Sequence, residues 1–127
     1  MELARHEKDA IGDDLKCEIL DPYADYNKRY DADESVDGVE DTVAQPLKGN
    51  FNQLKKLKEM YPNIRVMISI GGWNDSDKFS DAALEENRST FVNSCLDMFI
   101  NGNFDPGDGV VEAGVFDGID IDWDYPG

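Results

Sequence analysis

The chain has 127 residues, with 28 acidic side chains against 12 basic ones and a formal net charge of −16. That is one small domain at most, or a piece of a larger one. Charge of this sign disfavours nucleic acid or an anionic membrane surface as a partner, and no apolar run approaches the length of a membrane span.

Residues 1–49 are polar and acidic, with turn formers at Asp21-Pro22, Val36-Asp37-Gly38 and Gln45-Pro46. No sustained period of 2 or 3.6 runs through them, so a mostly irregular loop is expected, long for a compact domain. Met1 to Ala10 lack the apolar centre of a signal peptide. His6, the only histidine, sits in this polar stretch and is expected in solvent, which removes His-based triads and most zinc sites. Tyr23, Tyr26 and Tyr30 recur at near-helical spacing, either as anchors packing on a neighbour or as a ligand-facing aromatic edge. Cys17 and Cys95 are too few for a disulfide framework and lack metal-ligand spacing. One bridge or two buried thiols would both fit.

From Asn50, a plausible N-cap, Phe51, Leu54, Leu57 and Tyr61 recur along one face of an expected helix. Lys55, Lys56 and Lys58 would solvate its other side, and Pro62 closes it. Ile64 to Ile70 reads as a strand, with Val66, Ile68 and Ile70 on one face and Met67 and Ser69 on the other. Gly71-Gly72 ends it with a tight turn and close backbone approach, and Trp73 follows at the strand's C-terminal end. Ser80 to Ala83 reads as a helical turn. A longer helix from about Glu85 to Ile100 carries Phe91, Val92, Cys95, Leu96, Phe99 and Ile100 on one apolar stripe, with Gly102 as its C-cap. A Gly- and Asp-rich connection, Asn103 to Gly114, leads into the last strand. Residues 50–127 thus form a helix–strand–helix–strand unit, an α/β pattern whose two strands are parallel and joined by a right-handed crossover.

The chain closes on Asp117-Gly118-Ile119-Asp120-Ile121-Asp122-Trp123-Asp124-Tyr125-Pro126-Gly127. Apolar and acidic residues alternate from Ile119, so Asp120, Asp122 and Asp124 share one face of a strand, and Ile119, Ile121 and Trp123 the other. Like charges about 7 Å apart couple their titrations, and burying them unpartnered is costly. A carboxylate row at a strand end is better explained by proton handling and substrate orientation. A calcium loop needs Gly at the sixth position and Glu at the twelfth; Tyr125 stands at the sixth. A solvated acidic edge would not need Ile, Ile and Trp behind it. Asp117 lies off the row by parity and is expected to hold a turn or a neighbouring backbone N–H, a structural role.

This stretch resembles the D-x-x-D-x-D-x-E signature of glycoside hydrolase family 18, the chitinases and their relatives. Asp117, Asp120 and Asp122 match its aspartates, while Asp124 stands where the family has glutamate. Ser69-Ile70-Gly71-Gly72-Trp73 resembles the family's S-x-G-G loop after barrel strand 3, and Asp21-Pro22-Tyr23-Ala24-Asp25-Tyr26 with Gln45-Pro46 resembles its loop after strand 2. The likeness runs from about Cys17 to Gly127. It implies a fragment of a TIM (β/α)8 barrel, about strands 3 and 4 with their helices, preceded by a long loop, so that residues 1–127 form a partial catalytic domain.

By the same resemblance the activity is hydrolysis of β-1,4-linked N-acetylglucosamine in chitin, by a substrate-assisted retaining mechanism. Asp124 occupies the acid position. Asp122 would hold the substrate's acetamido group and Asp120 would share its charge. Ser69, Gly71, Gly72, Trp73 and Tyr125 would shape the sugar site. The resemblance implies no cofactor or metal, chitin or its oligosaccharides as partner, and secretion, the last inferred from the polymer alone. Asp is one methylene shorter than Glu, about 1.5 Å of lost reach. A general acid must come within about 3.2 Å of its target, so Asp124 is expected to be a weak one. A carbohydrate-binding pseudoenzyme is the alternative reading.

Overall fold

The computed structural model describes residues 9–71 and 78–123, and its core grows from one strand. Val66, Ile68 and Ile70 are fully buried, the alternate positions of a β-run whose apolar face is covered. The strand itself, β3, spans Met67–Gly71. It pairs in parallel with the strand Gly118–Asp122 (β6), with Met67 opposite Gly118, Ser69 opposite Asp120 and Gly71 opposite Asp122.

The chain between these strands, and the helix ahead of them, supply the cover. Gly49–Met60 forms α1, Phe79–Ala82 the short α2, and Glu85–Cys95 α3, which runs on into a π-helical turn over Leu96–Ile100. Phe51 of α1 and Phe99 of the π-turn are fully buried. Phe51 lies 4.8 Å from Phe104 and 5.0 Å from Phe116, ring centre to ring centre, and Phe99 lies 5.9 Å from Phe116. Each buried phenyl contributes about 2–3 kcal/mol from area alone, and tilted or edge-on pairs add about 1 kcal/mol. This cluster joins α1 to the chain ahead of β6.

Several elements differ from the sequence expectation. Asn50 is not the N-cap: the helix opens at Gly49 (φ +68°), where a Cβ would sit 2.5 Å from the Asp25 carbonyl carbon. Asn50 instead accepts from Tyr30 Oη at 2.6 Å and donates to Asp25 at 3.3 Å. Val92 and Leu96 of the expected apolar stripe are 46% and 44% exposed, so only part of that stripe is covered. The Gly- and Asp-rich connection holds a small antiparallel hairpin, β4 (Asn103–Asp105) with β5 (Val110–Val111). Asp105 turns it by accepting the Asp108 N–H at 3.3 Å.

Within residues 1–49, two short strands, β1 (Asp9–Ile11) and β2 (Cys17–Ile19), pair antiparallel. Three residues are too few to display a period, which is why the hairpin is not legible in the sequence. The irregular stretch after it is ordered by polar contacts instead. A π-helical turn at Tyr23–Asn27 is closed by the Lys28 N–H on the Tyr23 carbonyl, 2.6 Å. Asp41, fully buried, accepts from Tyr30 N–H, Asn52 Nδ2 and Gln45 Nε2 at 2.9, 3.0 and 3.2 Å. Lys56, expected in solvent, reaches Ser35 Oγ, Asp37 Oδ1 and Val39 O at 2.9–3.0 Å. Hydrogen bonds from Ser35, then Lys56 and the Val39 N–H, hold the Asp37 carboxyl down at about 2.

Tyr26 is buried, its hydroxyl 3.3 Å from Asp105 Oδ2; burial first, then the Asp105 charge, pushes its pKa up. Tyr23 is 64% exposed. The three tyrosines therefore do not form one edge. His6 lies outside the described residues.

Cys17 and Cys95 are bonded, with Cα atoms 5.1 Å apart, which ties the β1–β2 hairpin to α3. The bridge spans a sequence separation of 78 residues, and chain-entropy reasoning gives about 4.5 kcal/mol for a loop of that size. Replacing both cysteines by serine is expected to lower the urea midpoint and to steepen the slope, as the unfolded chain expands, measured by circular dichroism. A midpoint within error of the parent would show the hairpin to be held by its apolar contacts alone.

Candidate functional site

The site is built at the carboxyl ends of β3 and β6. Its entry is fixed by Asp117. The Asp117 N–H donates to the Val66 carbonyl at 2.7 Å, and Asp117 Oδ2 accepts the Val66 N–H at 2.8 Å. Its Oδ1 takes the Lys58 ammonium at 2.8 Å. Burial alone would raise this carboxyl's pKa, but the Lys58 and Val66 hydrogen bonds outweigh it and hold the group below the ordinary aspartate range.

Two residues on from the start of the ladder, Ser69 Oγ donates to Asp120 Oδ2 at 2.9 Å. Ser69 is buried and Asp120 exposed, so beyond the Ser69 bond the carboxylate keeps an open side. Two residues further, Asp122 stands opposite Gly71 on the same face and is half-buried. The row therefore faces away from the buried Ile68 and Ile70. Of the residues behind it, Ile119 and Trp123 pack on the core, while Ile121 is 44% exposed. Among the described residues β6 pairs with β3 alone, and Ile121 is the least covered of the three.

Gly71 has φ +102°, a conformation essentially reserved for glycine. A Cβ there would lie 2.5 Å from the Asp122 carbonyl and 2.5 Å from the Phe79 ring. The missing side chain lets Phe79 of α2 lie across the strand end, 5.6 Å from the Trp123 ring and 6.1 Å from Phe91 of α3. Phe79 escapes sequence reasoning because its helix is one turn long. Lys58 escapes it because three lysines share one helical face and only the fold says which one meets Asp117.

Of the residues singled out by sequence, Ser69, Gly71, Asp117, Asp120 and Asp122 come together at this strand pair. Gly72, Trp73, Asp124 and Tyr125 lie outside the described residues. Among the described residues no group of three or more His, Cys, Asp or Glu side chains is arranged to hold a metal. A hollow of about 490 Å³ beside the disulfide (Lys16, Ser94, Asp97) and one of about 300 Å³ beside α1 (Asp37, Lys56, Glu112) include no residue of β6.

Residues 10–127 match the family described as Glycosyl hydrolases family 18. The chain is 53% identical over 111 residues to Chitinase C of Streptomyces lividans and 50% identical over 111 residues to Chitinase 63 of Streptomyces plicatus. Each match covers 87% of this chain but only 16% and 17% of those proteins. Among solved structures, the catalytic domain of psychrophilic chitinase B from Arthrobacter TAD20 matches with a TM-score of 0.83 at 42% identity, over 91% of this chain and 31% of that one.

Two outcomes follow from the geometry. A carboxyl held below its unfolded value stabilises the fold fully above about pH 4, the unfolded aspartate range, and loses that contribution as pH falls through the folded value. Asp117→Asn should therefore cost on the order of 1 kcal/mol at pH 6, given partial solvent screening. The gap to the parent should close as pH drops toward 2, read from urea unfolding across pH. Gly71→Ala should cost about 3 kcal/mol from strain and overlap and shift Trp fluorescence as Phe79 is displaced. An unperturbed spectrum and midpoint would mean that the strand end relaxes freely.

Proposed function

The chain belongs to glycosyl hydrolase family 18, whose catalytic domains have the (β/α)8 barrel fold, and on that premise we propose that it is a partial catalytic domain of a secreted chitinase-type hydrolase. In this reading β3 and β6 are strands 3 and 4 of the barrel. The substrate is a chain of β-1,4-linked N-acetylglucosamine, and the bond broken is the one between two sugars.

One observation carries it: the parallel register that sets Ser69 beside Asp120 and Gly71 beside Asp122 on a face turned away from the core. Barrel enzymes take their catalytic groups from such strand ends. The roles are these. The acid position, Asp124, gives a proton to the leaving glycosidic oxygen. The substrate's own acetamido oxygen attacks the anomeric carbon, so the protein supplies no nucleophile. Asp122 holds that acetamido group and stabilises the positive charge it gains. Asp120, fixed by Ser69, sets the charge behind Asp122. Gly71 and Gly72 keep the strand end free of side chains where a sugar ring approaches, and Trp73 and Tyr125 supply flat faces for it.

Asp124 also supports a second reading, in which the cleft binds sugar without cleaving it. A misplacement of about 1 Å already costs on the order of 10²-fold in rate, and the shorter side chain draws the carboxyl back by about 1.5 Å. The test replaces the matching segment of the Arthrobacter TAD20 chitinase B catalytic domain by residues 10–127, with Asp124 or with Asp124→Glu. A fluorogenic chitobioside should be cleaved about 10²-fold faster by the Glu form. Equal, measurable rates would show that the acid does not limit turnover. Binding of chitotetraose by calorimetry with no cleavage by either form would favour the binding protein.

A further inference from the structure

We propose that Lys58 is the positioning residue of the carboxylate strand: its ammonium gathers the turn ahead of β6 onto α1 and so selects the register that places Asp120 beside Ser69. The part of this that concerns sugar rests on the chitinase reading above; the part that concerns register does not.

An ammonium carries three N–H donors and no acceptor. Lys58 Nζ meets three acceptors, Gly114 O at 2.7 Å, Val115 O at 3.3 Å and Asp117 Oδ1 at 2.8 Å. All three belong to the four residues immediately before the acidic strand. The side chain is only 19% exposed, so its donors are satisfied largely by protein. The other lysines of this face go elsewhere: Lys55 pairs with Glu112, and Lys56 with Asp37 and Asp41.

The seat matters because a parallel ladder is repetitive. Backbone pairing alone is nearly indifferent to a slip of β6 along β3. A slip of one residue would turn Asp120 and Asp122 to the other face; a slip of two would take Asp120 away from Ser69. Asp117 resists both, since it exchanges two bonds with Val66, one step before the Met67–Gly118 pair. Asp117 in turn is oriented from behind by Lys58. The chain of contact runs α1, Lys58, Asp117, Val66, and only then Ser69 with Asp120. A cation in the last turn of α1 also suits the helix dipole, and that blander role predicts something different.

The experiment uses the 127-residue chain, labelled for NMR, with Lys58→Met and Lys58→Arg. Methionine keeps the stem and removes the charge. Arginine restores charge, but its planar fork cannot bring three N–H groups to one point. In Lys58→Met the Val66 amide should exchange about tenfold faster and the Asp120 carboxyl carbon resonance should move or split, while α3 amides keep their rates. Lys58→Arg should recover thermal stability but not the Asp120 signal. Uniformly faster exchange, an unmoved Asp120 resonance, or full recovery by arginine would each overturn the proposal in favour of simple charge stabilisation. Titrating the parent chain with chitotetraose reads the other question. Silence at Asp120 and Asp122 would count against the sugar site and leave the register result as measured.

Discussion

The two hydrogen bonds between Val66 and Asp117 are the constraint from which the rest of the molecule takes its alignment. A parallel strand pair has no hairpin turn to set its offset, because its strands are joined by a long crossover. Here the offset is set at the entry, by one side chain acting as a backbone surrogate. Everything downstream inherits it: the Ser69–Asp120 bond, the Gly71–Asp122 pair and the face on which the acids stand. The same carboxylate is tied to α1 through Lys58, so helix and strand pair cannot shift independently.

Around that alignment the chain uses three different kinds of cohesion. Apolar burial is concentrated in the phenylalanine cluster of Phe51, Phe99, Phe104 and Phe116 and in the β3 face. The irregular stretch before α1 is held by buried polar contacts centred on Asp41 and Lys56. The amino-terminal hairpin adds a covalent tie, Cys17 to Cys95, to the burial of Ile11 and Ile19. The division reflects composition: a stretch with few apolar side chains has little area to bury, and must be ordered by satisfied hydrogen bonds or a cross-link. The chain spans 16–17% of its Streptomyces relatives and 31% of the Arthrobacter domain. Ile121, Val92 and Leu96 are among the exposed apolar side chains of the described residues.

On the chitinase reading, the departure from the motif falls at Asp124, where the signature has glutamate. Ser69, Gly71, Asp117, Asp120 and Asp122 carry the resemblance to the motifs, with Asp117 at the entry of β6 and Asp120 and Asp122 following along its open face. In that reading the proposed acid is one carbon–carbon bond short, and general-acid function depends steeply on reach.

Much of the fold and of the site was legible because it is written in short-range pattern. Ile64 to Ile70 and Ile119 to Trp123 alternate, Phe51 and Leu54 recur at helical spacing, and the aspartates of the signature sit at fixed intervals. Alternation alone puts Asp120 with Asp122 and sets Asp117 apart from them. What it cannot contain is any relation between distant residues. That Cys17 meets Cys95, that Lys58 rather than Lys55 meets Asp117, that Phe79 crosses Gly71, and that Asn50 turns to Asp25 instead of capping its helix are all decided by the tertiary structure. The physical reason is that periodicity records which way a side chain points, and only packing of the whole chain determines what it finds there.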